Sequence, residues 1–359
     1  MALVHDYLNQ RGGAERVFAH IARAYPDAPV YTSMFDRKTT GDLIEPARVR
    51  TSPLQYVPFG KRYFRFLAPL YPAAFESFDL SPYDLVISST TAWAKGVRVR
   101  PDAVHVCYIH TVSRFVFDYD RYVGAFGVGS LARLVVRGLT AWDLRAAAMP
   151  TAFIANSRNV AARVRRYYGR EAEVLPCPVD IDRFHVGAGS GAYAVVASRL
   201  LPYKRIDRAI EACKLAGVPL KIIGSGPAEA DLRRRAHGSA TEFLGWVDDA
   251  TVAAVLAEAR VVILPGEEDF GLVPLEAAAS GTPTIALGAG GALETLVAGE
   301  TGMFFSEPSA ESLAAALATF RRNDFDPAHL REHALGFSPE KFVEKLRAIV
   351  ERIRGPAPA

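Results

Sequence analysis

The chain has 359 residues, of which 50% are hydrophobic and 23% are charged, and its formal net charge is +3 at pH 7. Its length and apolar content predict two domains with sizeable cores. No stretch reaches the roughly eighteen apolar residues of a membrane-spanning helix, the three cysteines form neither a CxxC pair nor a zinc-site spacing, and the basic residues follow no nucleic-acid reader motif. We therefore expect a protein of a reducing cytosol, either soluble or peripheral at the inner face of a membrane.

The first half alternates short apolar runs with longer amphipathic stretches, as a parallel sheet covered by helices requires. Candidate strands are residues 2–7, 28–34, 84–90, 103–110 and 152–157. The N-terminus passes from a short apolar strand straight into polar residues and lacks the long apolar run of a signal peptide.

A basic and aromatic segment, "FGKRYFRFLAPLYPAAF" at residues 59–75, follows in the first half. Lys61, Arg62 and Arg65 interleave there with aromatic and leucine side chains, so the segment could lie on an anionic membrane surface. The alternative is a core-facing helix whose basic side chains are solvated. Residues 1–185 carry 24 Lys and Arg against 17 Asp and Glu, an excess of seven positive charges, and this asymmetry is compatible with an anionic partner.

The second half repeats the same rhythm of strands and helices. Candidate strands are residues 193–200, 219–226, 242–247, 260–266 and 283–288, and candidate helices are residues 204–215, 249–259 and 339–353. The sequence thus predicts an α/β protein of two successive Rossmann-like domains. Prolines, glycines and aspartates cluster at residues 175–193, so we expect domains at 1–185 and 186–337 and a final segment, 338–359, whose helix could pack back on the first domain.

Two cations at one strand-to-helix turn suggest a diphosphate site. In "ASRLLPYKRID", Arg199 leaves a strand and Lys204 stands at the start of the next helix, five residues on. Arg binds phosphate through its planar fork and Lys binds it as a point charge. The alternative is a pair of solvated surface charges. Ligands of open α/β sheets bind beyond the carboxyl ends of the strands, so two facing domains would share a site in the cleft between them.

The stretch "GEEDFGLVPLE", residues 266–276, places three carboxylates before an apolar helix and a fourth inside it. The helix should begin near Gly271, so the backbone N–H groups of Gly271, Leu272 and Val273 would bind a phosphate. Phe270 lies in the turn just before this helix. Glu268 precedes the helix and Glu276 lies within it, so one would reach a sugar ring and the other a ribose. The alternative is a dipole-stabilising acid and an ordinary helix glutamate.

The remaining motifs are two glycine turns and two imitations of known binding motifs. Gly224 follows an apolar strand and lets backbone approach a nucleotide, and "GAGGALETL" from Gly288 opens another helix. "GVGSLA" at 127–132 lacks the preceding strand and the later acid of a dinucleotide site. The DxD imitations at 118–120 and 180–182 also lack their proper context, so no metal and no cofactor is expected.

Taken together, these stretches resemble the donor domain of retaining GT-B glycosyltransferases of family 4. The family signature E-x7-E is matched by Glu268 and Glu276, and its Arg and Lys five residues apart by Arg199 and Lys204. The resemblance implies that Arg199, Lys204 and the helix N-terminus bind the donor diphosphate, that Glu268 holds the sugar and that Glu276 holds the ribose.

The first half resembles the same family. "NQRGGAERV" is similar to its first loop, in which Gly12 and Gly13 bring backbone N–H groups near the donor or the acceptor. His110 stands where the family commonly has a histidine that contacts the donor sugar; without the resemblance it would be a satisfied core histidine. Many relatives read His-Thr-Pro-Met-Arg from this position, whereas this chain reads "HTVSR".

The resemblance implies a bacterial mannosyl- or glucosyltransferase. Such an enzyme would move a hexose from GDP-mannose or a UDP-hexose to a lipid-linked or polysaccharide acceptor, with retention and without a metal. One rival is a silent sugar-nucleotide binder that acts as an assembly partner, which the intact Glu, Arg and Lys set disfavours. The other rival, an epimerase or dehydratase of the short-chain type, requires a Tyr-x-x-x-Lys pair that the sequence does not contain.

Overall fold

The computed structural model describes residues 1–117, 130–187 and 191–355, which form two compact units. Unit 1 contains residues 1–117, 130–176 and 342–355, and unit 2 contains residues 177–187 and 191–341. The DxD imitation at 118–120 and the first half of "GVGSLA" lie outside the described residues.

The change of unit at residue 177 comes earlier than the boundary at 185 that the sequence suggested. The residues in between are held by unit 2. The backbone N–H of Val179 donates to the carbonyl of Phe337 at 2.9 Å, and Arg183 pairs with Asp249 at 2.9 Å. The cluster of turn-forming residues marks the neighbourhood of the boundary but not the residue at which contacts change sides.

Unit 1 is built on a seven-stranded parallel sheet in the order β3-β2-β1-β4-β5-β6-β7. Its strands are β1 Ala2–His5, β2 Val30–Thr32, β3 Val49–Thr51, β4 Leu85–Thr90, β5 Val104–Ile109, β6 Ala152–Ala155 and β7 Ala172–Val174. The central strands β1 and β4 are buried along their whole length, as strands covered on both faces must be. The sequence did not predict β3 and β7, because three half-buried residues at a sheet edge give no periodic pattern.

Helices surround this sheet. They are α1 Gly13–Ala24, α2 Arg37–Thr40, α3 Tyr71–Glu76, α4 Arg114–Phe117, α5 Ser130–Ala146 and α6 Arg158–Tyr168. In α1 a capping box fixes the first turn, since Glu15 accepts the backbone N–H of Gly12. The apolar face of α1, which includes Val17, Phe18 and Ile21, packs into the core.

Unit 2 contains a six-stranded parallel sheet in the order β10-β9-β8-β11-β12-β13. Its strands are β8 Ala194–Ala197, β9 Leu220–Ile223, β10 Thr241–Gly245, β11 Val261–Leu264, β12 Thr284–Leu287 and β13 Gly302–Phe305. Its helices are α7 Ile206–Ala216, α8 Glu229–Arg235, α9 Asp249–Ala257, α10 Leu272–Ala279, α11 Ala292–Thr295, α12 Ala310–Thr319 and α13 Pro327–Leu335. The helix expected at 204 begins at 206, because Pro202–Lys204 forms a 3₁₀ turn.

The last helix, α14 Pro339–Arg354, leads back to unit 1. The Phe342 ring lies 5.7 Å from that of Tyr108, edge to face, and Arg347 donates to the carbonyl of Ala24 at 2.6 Å.

In both units the sheet order reverses direction between two neighbouring central strands, β1 and β4 in unit 1 and β8 and β11 in unit 2. The prediction of two Rossmann-like domains is confirmed. The reversal creates a switch point in each sheet, the usual ligand position in this class of fold.

Candidate active site

Glycines bring the loops after β8 and β9 into contact at the carboxyl edge of unit 2. A Cβ on Gly224 would lie 1.9 Å from the carbonyl oxygen of Ser198, and one on Gly226 would lie 2.5 Å from that of Leu200. Gly224 also has a φ of +123°, which L side chains rarely adopt. Gly224 is therefore required for the packing of this edge, apart from any contact with a ligand.

The loops after β11 and β12 join the same edge in the same way. A Cβ on Gly266 would lie 2.8 Å from the carbonyl oxygen of Lys204, and one on Gly291 would lie 2.3 Å from the Cα of Phe270. The backbone N–H of Gly291 donates to the carbonyl of Glu268 at 2.8 Å. These close approaches determine where the acidic turn "GEEDFG" stands relative to the loop that carries Lys204.

Lys204 and Glu268 form an ion pair at the switch point of unit 2. The Lys204 Nζ lies 2.5 Å from Oε1 and 2.6 Å from Oε2 of Glu268, and each side chain is 16% exposed. Lys204 follows β8 and Glu268 follows β11, the two strands between which the sheet order reverses. Sequence reasoning gave the two residues separate ligands, whereas the structure brings them into direct contact. Arg199 lies exposed on the same loop as Lys204.

Helix α10 begins as the sequence indicated, with Gly271 as its N-cap at a φ of +93° and without a side-chain cap. The backbone N–H groups of Leu272 and Val273 belong to its first turn, where the positive end of the helix dipole lies. The Phe270 side chain is buried against Phe337, with ring centroids 6.2 Å apart, so Phe270 contributes to the core through its ring.

Glu276 lies inside α10 and is separate from Glu268 in its contacts. The Arg183 Nη1 lies 4.0 Å from Glu276 Oε1, and Arg183 Nη2 lies 2.9 Å from Asp249 Oδ1. Arg183 was not among the residues predicted from the sequence. It ends a 3₁₀ turn in a stretch that the sequence suggested to be a linker, so no local signal marked it.

In unit 1 the first glycine loop is tied to its own helix. The backbone N–H of Gly12, the N-cap of α1, donates to Glu15 Oε2 at 2.9 Å, and Gly13 is the first residue of α1. Glu15 is buried, and its other oxygen accepts a hydrogen bond from Gln10 at 2.9 Å. The N–H that the sequence assigned to a ligand at Gly12 is therefore engaged within the loop.

His110 is buried just after β5 and is linked to His5 through one hydroxyl. The Ser89 Oγ lies 2.8 Å from His110 Nε2 and 3.1 Å from His5 Nδ1, which also lies 3.1 Å from the Ser89 carbonyl oxygen. A carbonyl only accepts, so His5 Nδ1 carries the proton. The Ser89 hydroxyl and His110 Nε2 form a hydrogen bond whose direction depends on the tautomer of His110. Burial, with a smaller contribution from His5, lowers the pKa of His110 to about 3, so this ring is neutral.

The switch point of unit 1 is occupied by a carboxylate that the sequence analysis did not single out. Asp6 is buried directly after β1 and accepts hydrogen bonds from the hydroxyls of Thr90 and Thr91 and from the N–H groups of residues 91–94. An acid immediately after a buried strand was the available signal.

A buried ion pair also lies in unit 1. The Lys95 Nζ contacts Asp143 Oδ1 at 2.6 Å, and Asp143 accepts from Ser113 at 2.5 Å and from Tyr168 at 2.8 Å. Burial alone would lower the pKa of Lys95, but Asp143 outweighs it and the pKa is raised. Lys95 and Asp143 are far apart in the sequence, so no local motif predicts their pairing. The pair attaches Ser113, three residues after His110, to α5.

Within the described ranges, no helix is long and apolar enough to cross a membrane. The same residues contain no group of three His, Cys, Asp or Glu side chains that could hold a metal ion. Asp180 and Asp182, of the DxD imitation that the structure does describe, lie beside and within the 3₁₀ turn Ile181–Arg183.

Known families match both units. Residues 11–183 match Glycosyltransferase Family 4, and residues 180–335 match Glycosyl transferases group 1. A GDP-mannose-dependent alpha-(1-6)-phosphatidylinositol dimannoside mannosyltransferase of Mycobacterium tuberculosis is 34% identical over 135 residues, which are 36% of this chain and 31% of that enzyme. A D-inositol 3-phosphate glycosyltransferase of Geodermatophilus obscurus is 30% identical over 54% of this chain and 51% of its own. The chain thus spans about a third to a half of the length of these curated relatives.

Solved structures resemble the whole chain. Anabaena HepE in complex with UDP-glucose has a TM-score of 0.71 at 20% identity, covering 97% of this chain and 98% of that one. Sucrose-phosphate synthase from Thermosynechococcus elongatus has a TM-score of 0.72 at 19% identity, covering 98% and 99%. At these identities the similarity establishes the fold.

Proposed function

The chain belongs to family 4 of the glycosyltransferases and has their GT-B fold, and from this premise we propose that it is a hexosyltransferase. It moves a hexose of the mannose or glucose type from a nucleoside diphosphate sugar to a lipid-linked or polysaccharide acceptor in surface glycan assembly, with retention of configuration. The observation that carries the proposal is the contact of Lys204 with Glu268 at the switch point of unit 2.

Charge stabilisation is the main catalytic contribution in this proposal. Negative charge grows on the diphosphate as the sugar departs, and Lys204, Arg199 and the N-terminus of α10 lie on loops at one edge of one sheet. Groups that are already oriented toward developing charge stabilise a transition state without reorganisation. The two-oxygen contact with Glu268 holds the Lys204 ammonium in place before a donor arrives. The departing phosphate itself accepts the proton of the acceptor hydroxyl, so a side-chain base and a metal ion are both unnecessary.

The two glutamates of the signature have different tasks. Glu268 stands before α10 and is bound to Lys204, so a hexose attached to the diphosphate meets its carboxylate. Glu276 lies farther along α10 beside Arg183 and accepts from ribose hydroxyls. In unit 1, His110 is the residue assigned to a hydroxyl of the donor sugar, and its ring is neutral.

The donor is GDP-mannose or a UDP-hexose. Relatives of this chain include GDP-mannose-dependent enzymes, and the Anabaena neighbour was solved with UDP-glucose. A lipid-linked acceptor would make the chain a peripheral protein at the cytoplasmic face of a membrane. A thermal-shift panel of UDP-, GDP-, ADP- and dTDP-sugars identifies the donor, because a ligand raises the melting temperature of the folded state that it binds.

Calorimetry with the bare nucleoside diphosphate tests the assignment of the glutamates. Glu276→Ala should weaken binding by roughly 1–3 kcal/mol, because ribose hydroxyls lose a charged acceptor. Glu268→Ala should leave that affinity nearly unchanged and lower turnover and sugar discrimination, since its contact requires the hexose. Glu267→Ala is the matched control, because it removes a carboxylate from the same turn.

Equal losses of nucleoside diphosphate affinity in the Glu268 and Glu276 variants, or a loss in the Glu268 variant alone, would contradict this division. A wild-type chain that binds the donor but neither transfers nor hydrolyses it would instead be the silent binding partner. Transfer to acceptor and release of free hexose are therefore measured alongside binding.

A further inference from the structure

A segment of unit 1 presents large apolar side chains to solvent. Tyr56 is 83% exposed, Phe59 is 79% exposed and Phe66 is 82% exposed, and Tyr63 and Leu70 beside them are also exposed. The segment consists of the 3₁₀ turns Pro53–Tyr56 and Phe64–Leu70 and the loop between them, and we call it the aromatic edge. The core-facing helix considered from the sequence is present only at the end of the stretch, where Tyr71 and Phe75 of α3 are buried, while residues 64–70 form a 3₁₀ turn that leaves Phe66 exposed.

The aromatic edge is firmly attached to the core behind it. Phe64 is buried with its ring 4.8 Å from that of Tyr7, and the hydroxyl of Tyr71 donates to the Phe64 carbonyl at 3.1 Å. Phe59 has a φ of +56°, a strained conformation for a bulky residue. Local strain of this kind persists only where the surrounding structure enforces it. The exposed rings thus flank a residue, Phe64, that anchors the segment to the core.

Cations lie among the exposed rings. Lys61, Arg62 and Arg65 are exposed, and the Arg62 guanidinium lies 5.6 Å from the centre of the Tyr63 ring. The sequence contains no Asp or Glu between Glu45 and Glu76. The aromatic edge therefore combines apolar tips with positive charge and has no acidic residue in its own stretch of chain.

We propose that the aromatic edge docks unit 1 on an anionic lipid bilayer, with the aromatic rings at the headgroup level and the three cations against lipid phosphates. Aromatic side chains favour the membrane interface, and basic side chains are attracted to anionic lipid. A second copy of the chain fits less well, because a two-fold contact would place the same cations opposite each other with no acid in the segment to pair them. The inference adds a docking surface to the peripheral location named in the proposed function, and its test does not depend on the donor or on turnover.

Co-sedimentation of the full chain with vesicles tests the proposal. Binding to vesicles of phosphatidylcholine with phosphatidylglycerol should exceed binding to phosphatidylcholine alone, and it should fall as salt rises from about 0.05 to about 0.5 M. Neutralising Lys61, Arg62 and Arg65 together to Gln should lower the partition coefficient on the order of a hundredfold, at about fivefold per cation. Phe59→Ser combined with Phe66→Ser should lower it at least about tenfold.

Unit 2 supplies matched controls. Arg233, Arg234 and Arg235 are also three exposed cations, but they pair with Glu229 and Asp231 on their own helix. Changing those three to Gln removes the same charge and should leave vesicle binding within about twofold. Leu215→Ser combined with Leu335→Ser removes two exposed apolar side chains of unit 2 and should leave binding equally unaffected. Circular dichroism verifies that each variant is folded.

Three outcomes of the vesicle assay would overturn the proposal. They are equal binding to both kinds of vesicle, equal losses in the edge variants and their unit 2 controls, and wild-type vesicle binding by the Phe59 and Phe66 variant. If light scattering shows that this variant instead turns a dimer into a monomer, the aromatic edge is a contact between copies of the chain and not a lipid-docking surface.

Discussion

Two glycines of one loop should respond in opposite ways to the same substitution. In Gly291→Ala the new Cβ would lie 2.3 Å from the Cα of Phe270 and 2.6 Å from the carbonyl oxygen of Asp269, so backbone must move by about 1 Å. In Gly288→Ala the nearest atom, the Cβ of Phe304, lies at an ordinary 3.6 Å. Neither glycine has a positive φ in the range that disfavours alanine, so crowding alone distinguishes the two variants.

The expected magnitude follows from what the crowded atoms are. Overpacking costs about 1–3 kcal/mol, and backbone atoms yield less than side chains, so about 3 kcal/mol is expected for Gly291→Ala. For a unit of this size that lowers the melting temperature by about 6–12 °C. The shift also moves the carbonyl of Glu268, which accepts the N–H of Gly291, and a misplacement of about 1 Å at a catalytic group lowers turnover about a hundredfold.

The assay is thermal unfolding of both variants, followed by transfer activity at a temperature well below either midpoint. Gly288→Ala should melt within about 2 °C of the wild type and retain its turnover. Equal melting temperatures for the two variants, or equal turnover, would refute the close packing of the acidic turn against the loop after β12.

Three further outcomes are expected. Arg199→Ala and Lys204→Ala should each lose about 2–5 kcal/mol of transition-state stabilisation, while Arg234→Ala serves as a control; turnover within about threefold of the wild type in both site variants would contradict their role. In the proposed function side-chain cations and a helix end take the place of a metal, so activity should survive exhaustive EDTA treatment, and a strict Mg²⁺ or Mn²⁺ requirement would count against this. Burial lowers the pKa of His105 from 6.5 to about 3, so on acidification the unfolded chain takes up a proton before the folded chain does. The stability that the neutral His105 ring contributes is therefore complete above pH 6.5 and falls by about 1.4 kcal/mol for each pH unit below it. Urea unfolding should show a shallower pH slope in His105→Gln, and an unchanged slope would contradict the burial of a neutral ring.

The sequence predicted features that depend on local pattern. Apolar runs of four or more residues located the central strands of both units, and glycines after β9 and β12 marked turns whose close packing the structure shows. The sequence did not predict the strand β3 or the unit boundary at 177, because neither a short edge strand nor a change in the unit that a segment contacts leaves a periodic signal. Contacts between residues that are distant in the sequence were not predicted either. Lys204 and Glu268 were both singled out, but their pairing depends on the order of β8 and β11 in the sheet.

The two switch points differ in a way that supports the proposed assignment of the donor to unit 2. In unit 1 the carboxylate of Asp6, between β1 and β4, is buried and accepts hydrogen bonds from the turn after β4, so this carboxylate is engaged within the protein. In unit 2 the same position carries Lys204 and Glu268, both partly exposed. A carboxylate beside a bound diphosphate is unfavourable unless a cation offsets it. In the proposed function, because Lys204 contacts both oxygens of Glu268, the acid would remain at the site as a sugar ligand while Arg199 and the end of α10 would add positive potential for the phosphates. This balance is the physical reason that the loss of Glu268 should affect sugar transfer more than nucleoside diphosphate affinity.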